Sequence, residues 1–181
     1  MRKVLFIFGE LADSDIEWLV AHGTTTRLRK GDVLIQQGLA VGHLYLVLEG
    51  SVSVSVKGLD DAIVAVLQRG EIVGEMSFID TRPSSATAAA ADDALVLAIP
   101  RDAMSAKLRA DPAFAARFYR AIALILSDRL RSTVGELAAR RPRNAASPHH
   151  DDSDEIDPGV LEQVHMAGLR FERVVQRLVP A

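Results

Sequence analysis

The chain has 181 residues, 49% of them apolar, a formal net charge of −3 and no cysteine. That length fits one domain plus an appendage, and the apolar content supplies a sizeable core, which excludes global disorder. The acidic balance argues against broad nucleic-acid binding, and the missing thiols exclude disulfides and thiolate metal sites while fitting a reducing compartment.

Met1-Arg2-Lys3 precede Val4-Leu5-Phe6-Ile7-Phe8, an apolar run too short for the core of a signal peptide. No run approaches the roughly 18 apolar residues of a membrane span, so a soluble cytoplasmic protein is expected. Asp13-Ser14-Asp15 offer N-caps for a short helix with Ile16, Leu19 and Val20 on its apolar side, ending near Gly23. A β-rich region follows, about residues 24–99. Thr24 to Leu28, Val33 to Ile35 and Leu44 to Leu48 read as strands, separated by the turns Lys30-Gly31-Asp32 and Gln37-Gly38 and closed by Glu49-Gly50. Val52, Val54 and Val56 alternate with Ser51, Ser53 and Ser55, the period of a half-buried strand. Residues 57–61 read as a hairpin loop returning through Ile63 to Leu67. Thr87 to Ala91 and Ala94 to Ile99 complete the set, with Asp92-Asp93 marking a turn. Short strands with glycine at the corners predict an α+β fold built on a small antiparallel β-roll or jelly-roll-like barrel.

Helix takes over at Pro100, first Arg101 to Arg109. Asp111-Pro112 then start a long helix, over about 112–140, with Asp as N-cap and Pro at the first helical position. Phe118, Ile122, Leu126, Leu130, Val134 and Leu137 form one stripe at helical spacing, widened by Phe114, Leu124 and Ile125. One face can pack on the roll and the other on a second copy of the chain; the alternative is a single face buried within one subunit. Residues 141–158 lack periodicity and read as a solvated linker, although His149-His150-Asp151-Asp152 with Asp154 and Glu155 also bear metal-ligating groups. Over 159–181, Leu161, Val164, Gly168, Phe171, Val175 and Leu178 repeat at steps of three and four, a seam too short to stand alone in water. That helix must dock on the roll, on its twin or on another protein, and its His165 reads as an ordinary surface residue.

The most informative stretch runs from Gly70 to Thr87. It reads as a strand end, a glycine turn at Gly74, one helical turn and a polar loop entering the next strand. Backbone N–H groups at a helix start attract phosphate, and glycine at 74 lets main chain approach a ligand closely. The Glu75 carboxylate can accept hydrogen bonds from sugar hydroxyls, with Ser84, Ser85 and Thr87 adding donors. Its alternative role is to cap the helical turn.

Lys30-Gly31-Asp32-Val33-Leu34-Ile35 before Gly38, Leu44 through Gly50 and Gly70 through Glu75 occur in the order of the cyclic nucleotide-binding domain family, which the chain resembles over about residues 10–140. The resemblance implies a phosphate-binding cassette made of Val73, Gly74, Glu75, Met76, Ser77, Arg82, Pro83, Ser84, Ser85, Ala86 and Thr87. It places Gly74 and Glu75 at the ribose and the amides after Glu75 at the phosphate of cAMP or cGMP. In the family an arginine follows the proline and pairs with the phosphate; here Pro83 is followed by Ser84, and the nearby arginine is Arg82, on the other side of the proline. Arg82 either swings in to restore the charge, or the pocket binds weakly, binds something else or stays empty. Ser85 lies where members preferring cGMP often carry threonine.

Two functions follow as expectations. In the first, the protein is a regulatory sensor whose C-terminal helices carry ligand binding to an effector protein, acting as a homodimer through 112–140. In the second, it is a dimerisation or scaffold module with a degenerate pocket. A DNA-binding regulator is disfavoured because about 40 residues follow the long helix, below the roughly 50 of the smallest usual domains, without a second helix for a helix-turn-helix. Arg140, Arg141 and Arg143 are offset by the acids after them. No catalytic motif, cofactor or metal set is present, so an enzyme is not expected.

Overall fold

The computed structural model describes residues 4–58, 62–80, 82–139 and 158–179. Two helices, α1 (Val4–Glu10) and α2 (Asp13–His22), lead into eight strands. These are β1 (Thr24–Leu28), β2 (Val33–Ile35), β3 (His43–Glu49), β4 (Val52–Ser55), β5 (Ile63–Leu67), β6 (Ile72–Val73), β7 (Thr87–Ala90) and β8 (Ala94–Pro100). A short 3-10 turn, Glu75–Phe78, lies between β6 and β7, and α3 (Arg101–Ala110), α4 (Pro112–Ala139) and α5 (Pro158–Leu178) complete the chain. The tip of the 57–61 hairpin and the His149–Glu155 run lie outside the described residues. Among the described residues no helix is long and apolar enough to cross a membrane.

The strands form two antiparallel four-stranded sheets, ordered β1-β8-β3-β6 and β2-β7-β4-β5. This is the expected roll, but the sheets do not close into a barrel. The edge strands explain why: β6 has two residues and β2 three, so their ladders end before they could join the sheets. Between the sheets sits a small core of Ile35, Val41, Val47, Val52, Leu67, Val73 and Ala88. The β4 alternation is softer than its sequence: Val52 is buried, but Ser51 is buried too, because Asp92 takes both its N–H (2.7 Å) and its hydroxyl (2.9 Å).

A larger core joins the first sheet to the helices. Leu44, Leu46, Leu48, Leu95, Leu97 and Ile99 face Phe114, Phe118 and Ile122 of α4 and Phe171, Val174 and Val175 of α5. The run Val4–Phe8 turns out to belong to α1, whose Ile7 and Phe8 are buried in this core. Alone, seven residues would not hold a helix; packing does. In α2 the helix starts at Asp13 behind Ala12, and Asp15, at the third position, accepts the Ala12 N–H at 2.8 Å. Asp15 also takes a bidentate bond from Arg117 of α4 (2.7 and 2.9 Å), which satisfies a buried carboxylate. Asp111 caps α4 through the Phe114 N–H at 2.9 Å. The Lys107 ammonium bonded to it, then that N–H, hold its carboxyl below the usual range.

Of the predicted α4 stripe, Phe118 and Ile122 are buried, whereas Leu130 (64% exposed) and Val134 (56%) are open. Tyr119 and Leu124 are also exposed. α4 therefore buries one face on the roll and leaves apolar groups on another. α5 docks on its own chain: Phe171 meets Phe8 edge-on at 5.2 Å, and Arg69 lies 5.1 Å over the Phe171 ring. Arg170 donates to the Phe8 and Leu11 carbonyls at the end of α1 and pairs with Asp13. His165 is exposed.

Candidate functional site

The 70–87 stretch grows out of the first sheet. β6 is held to β3 by the register Tyr45↔Val73 and Leu46↔Ile72. Gly74 follows with φ +94°, and a Cβ there would lie 2.7 Å from the His43 carbonyl oxygen. Only glycine meets both demands, left-handed backbone and no side chain. The chain then winds into the 3-10 turn, whose Phe78 ring stands edge-on to Phe118 of α4 at 6.0 Å. The loop after it is tied to the Gly38 corner: the Ser84 N–H donates to the Leu39 carbonyl (2.9 Å) and the Gly38 N–H to the Ser84 carbonyl (2.8 Å).

These elements surround a cavity of about 240 Å³ at the end of the inter-sheet core. Its floor is apolar, made by Ile35, Val41, Val54, Val73 and Ala88. Gly74, Glu75 and Met76 form one wall, and Arg82, Pro83, Ser84, Ser85 and Ala86 the other, with Asp80 and Arg129 completing it. Nine of the eleven cassette residues predicted from sequence thus line one cavity; Thr87, the first residue of β7, does not, and the side chain of Ser77 lies outside the described ones. Such a cavity, apolar below with a few convergent polar groups, is the usual form of a small-molecule site.

The polar groups are unequally available. Glu75 is 2% exposed and pairs with Arg129 of α4, whose other terminal nitrogen donates to the Ile72 carbonyl at 2.8 Å. A buried carboxylate needs such a partner, and the pair also satisfies a main-chain acceptor at the end of β6. The Ser84 hydroxyl donates to the Ala86 carbonyl at 2.7 Å, and the Thr87 hydroxyl accepts the Gln37 N–H at 3.2 Å, so both brace the loop. Ser85 is exposed in the wall. Arg82 reaches out from the rim with its side chain 86% exposed, its Nε 3.9 Å from Asp80. Among the described residues no cluster of His, Asp or Glu has a metal-binding arrangement.

Arg129 escaped the sequence reading, although a signal for it exists. The buried positions 118, 122 and 125 continue to 129 at helical spacing, so Arg129 is a cation on the stripe that faces the roll. Asp80 and the floor residues Ile35, Val41, Val54 and Ala88 were missed because they converge only in three dimensions.

The model of the cyclic nucleotide-binding domain matches residues 25–111. A cyclic AMP receptor protein of Thermus thermophilus is 31% identical over 133 residues, which is 72% of this chain and 60% of that protein. A cAMP-dependent protein kinase regulatory subunit of Eremothecium gossypii is 34% identical over 97 residues, 53% of this chain and 20% of that one. The crystal structure of a cyclic nucleotide-binding domain from Methylobacillus flagellatus superimposes with a TM-score of 0.68 at 21% identity, covering 80% of this chain and 86% of that one. That last likeness is one of fold. The chain spans 60% and 20% of the length of the two curated relatives.

Proposed function

The chain belongs to the cyclic nucleotide-binding domain family, and on that premise we propose that it is a non-enzymatic, cytoplasmic regulatory sensor that binds cAMP or cGMP in the cavity between residues 73 and 88. The observation that carries this reading is the buried Glu75 carboxylate at an apolar-floored cavity, joined to the long helix through Arg129. One carboxylate oxygen bonded to Arg129 leaves acceptor capacity for a sugar hydroxyl. Amides of the turn after Gly74, the Ser85 hydroxyl and the Arg82 guanidinium would meet the cyclic phosphate, Arg82 replacing the arginine that Ser84 lacks. The apolar floor would take the base.

A sensor also needs a reader. The turn bearing Glu75 touches α4 twice, through Arg129 and through Phe78 on Phe118. A ligand that repositions the turn therefore biases α4, provided it binds the two helix arrangements with different affinity. The exposed Tyr119, Leu124, Leu130 and Val134 fit a second copy of the chain as the partner of α4. α5, packed on α1, would be the output element toward an effector protein. Among the described residues it is the one helix after α4.

The scaffold reading draws on a specific observation as well: Glu75 is already satisfied by Arg129, and Ser84 is bonded within its own loop. Melting curves with millimolar cAMP and cGMP separate the two. A rise with either nucleotide supports the sensor, since a ligand that binds only the folded state raises its stability; no shift with both supports the scaffold. Arg82→Ala should weaken binding by about tenfold, the value of one charge-assisted bond at an exposed position. Unchanged calorimetric affinity would remove Arg82 from the phosphate site.

A further inference from the structure

We infer that Asp80 sets the affinity of the cavity for anions by competing with the ligand for Arg82. The inference rests on the cyclic-nucleotide reading above and adds a specificity-determining residue to it. Among the described residues, four charged side chains line the cavity: Glu75, Asp80, Arg82 and Arg129. Glu75 and Arg129 are engaged with each other. The remaining cation is Arg82, and the carboxylate beside it is Asp80, with Nε to Oδ2 at 3.9 Å. The cavity's charges therefore cancel two by two.

Asp80 has two separable roles. Its Oδ1 accepts the Arg82 backbone N–H at 3.3 Å, which shapes the turn between the 3-10 segment and Pro83. Its negative charge lies beside the guanidinium that an entering monoanion would seek. Arg82 and Asp80 are 86% and 48% exposed, so water weakens but does not abolish their interaction. A cyclic phosphate must draw Arg82 away from Asp80 and sit near that carboxylate. A neutral nucleoside with the same base and ribose meets neither cost. Asp80 thus acts as the repulsive element in the site's selectivity, while the turn amides and Arg82 act as the attractive one.

Asp80→Asn keeps the carbonyl that accepts the Arg82 N–H and removes only the charge. Calorimetry on the full chain with cAMP and with adenosine tests the idea. Asp80→Asn should bind cAMP about two- to fivefold more tightly at low ionic strength, the range of an exposed ion pair. The gain should shrink in high salt, where the screening length falls to about 3 Å, and adenosine affinity should stay the same. In an Arg82→Gln background the gain should shrink to the part that comes from direct repulsion between the carboxylate and the phosphate, since no guanidinium is left to release. Cyclic AMP binding to Asp80→Asn alone, with the parent silent, would support the inference most strongly. If the parent binds cAMP and Asp80→Asn binds it no more tightly, or if the gain persists in full with Arg82→Gln, the competition is overturned while the cyclic-nucleotide reading stands. If neither protein binds cAMP or cGMP, that reading fails and the inference falls with it.

Discussion

Glu75→Ala is expected to abolish any rise in melting temperature produced by cyclic nucleotide, and to lower the stability of the ligand-free chain by about 2–3 kcal/mol. Both effects come from one carboxylate that is 2% exposed. Its loss removes the proposed acceptor for ribose hydroxyls. It also leaves the Arg129 guanidinium, 29% exposed, against the Ile72 carbonyl without its counter-ion. Removing one partner of a fully buried pair usually costs about 3–5 kcal/mol, and the partial exposure of Arg129 reduces that figure. Chemical denaturation and ligand-dependent melting of the same protein read the two effects separately. A variant as stable as the parent would show that the pair to α4 contributes nothing. A variant that still responds to nucleotide would remove Glu75 from the ribose. An Arg129→Gln and Glu75→Gln double-mutant cycle isolates the coupling between the cassette and the long helix.

Phe171→Ala should cost about 3–4 kcal/mol, the usual range for truncating a buried aromatic, and lower the melting temperature by about 6–16 °C. Phe171 is 3% exposed, packed edge-on against Phe8 and beneath the Arg69 guanidinium. Val174, Val175 and Ala167 bury the same face of α5, and Arg170 fastens it to the carbonyls at the end of α1. The C-terminal helix is thus part of the main core rather than a segment waiting for a partner. A loss below about 1 kcal/mol, the size typical of a surface change, would mean that α5 does not dock on its own chain.

The roll was legible in the sequence because each corner carries its own signal. Glycine at 31, 38, 50, 70 and 74 adopts positive φ in the structure, and the strands between have the length and alternation of sheet. At Gly50 a Cβ would lie 2.4 Å from the Asp93 carbonyl, so that corner admits no side chain. The Asp111-Pro112 signal placed the start of α4 for the same local reason. α1 was illegible: Val4 to Glu10 becomes helical through Ile7 and Phe8 packing on α4 and α5, and sequence separation hides those partners. Whether the two sheets close on each other was not legible, because strand number follows from turns, whereas edge-strand length depends on which ladders find partners. At the site, the cassette could be read as a list, but its chemistry could not. The Ser84 and Thr87 hydroxyls are bonded to the main chain around them, and Glu75 meets an arginine 54 positions away. Such a pairing follows from how α4 lies across the roll, which local spacing does not encode.

The most direct measurement is a pair of crystal structures of the full chain, grown with saturating cAMP and with saturating cGMP, of which the account requires at least one to hold its nucleotide in the cavity. The account predicts the nucleotide inside the cavity, a ribose hydroxyl within hydrogen-bond distance of the Glu75 carboxylate, and the phosphate against the amides that follow Gly74. Nucleotide bound elsewhere in both, or a cavity left without it in both while Arg129 still holds Glu75, would contradict the account.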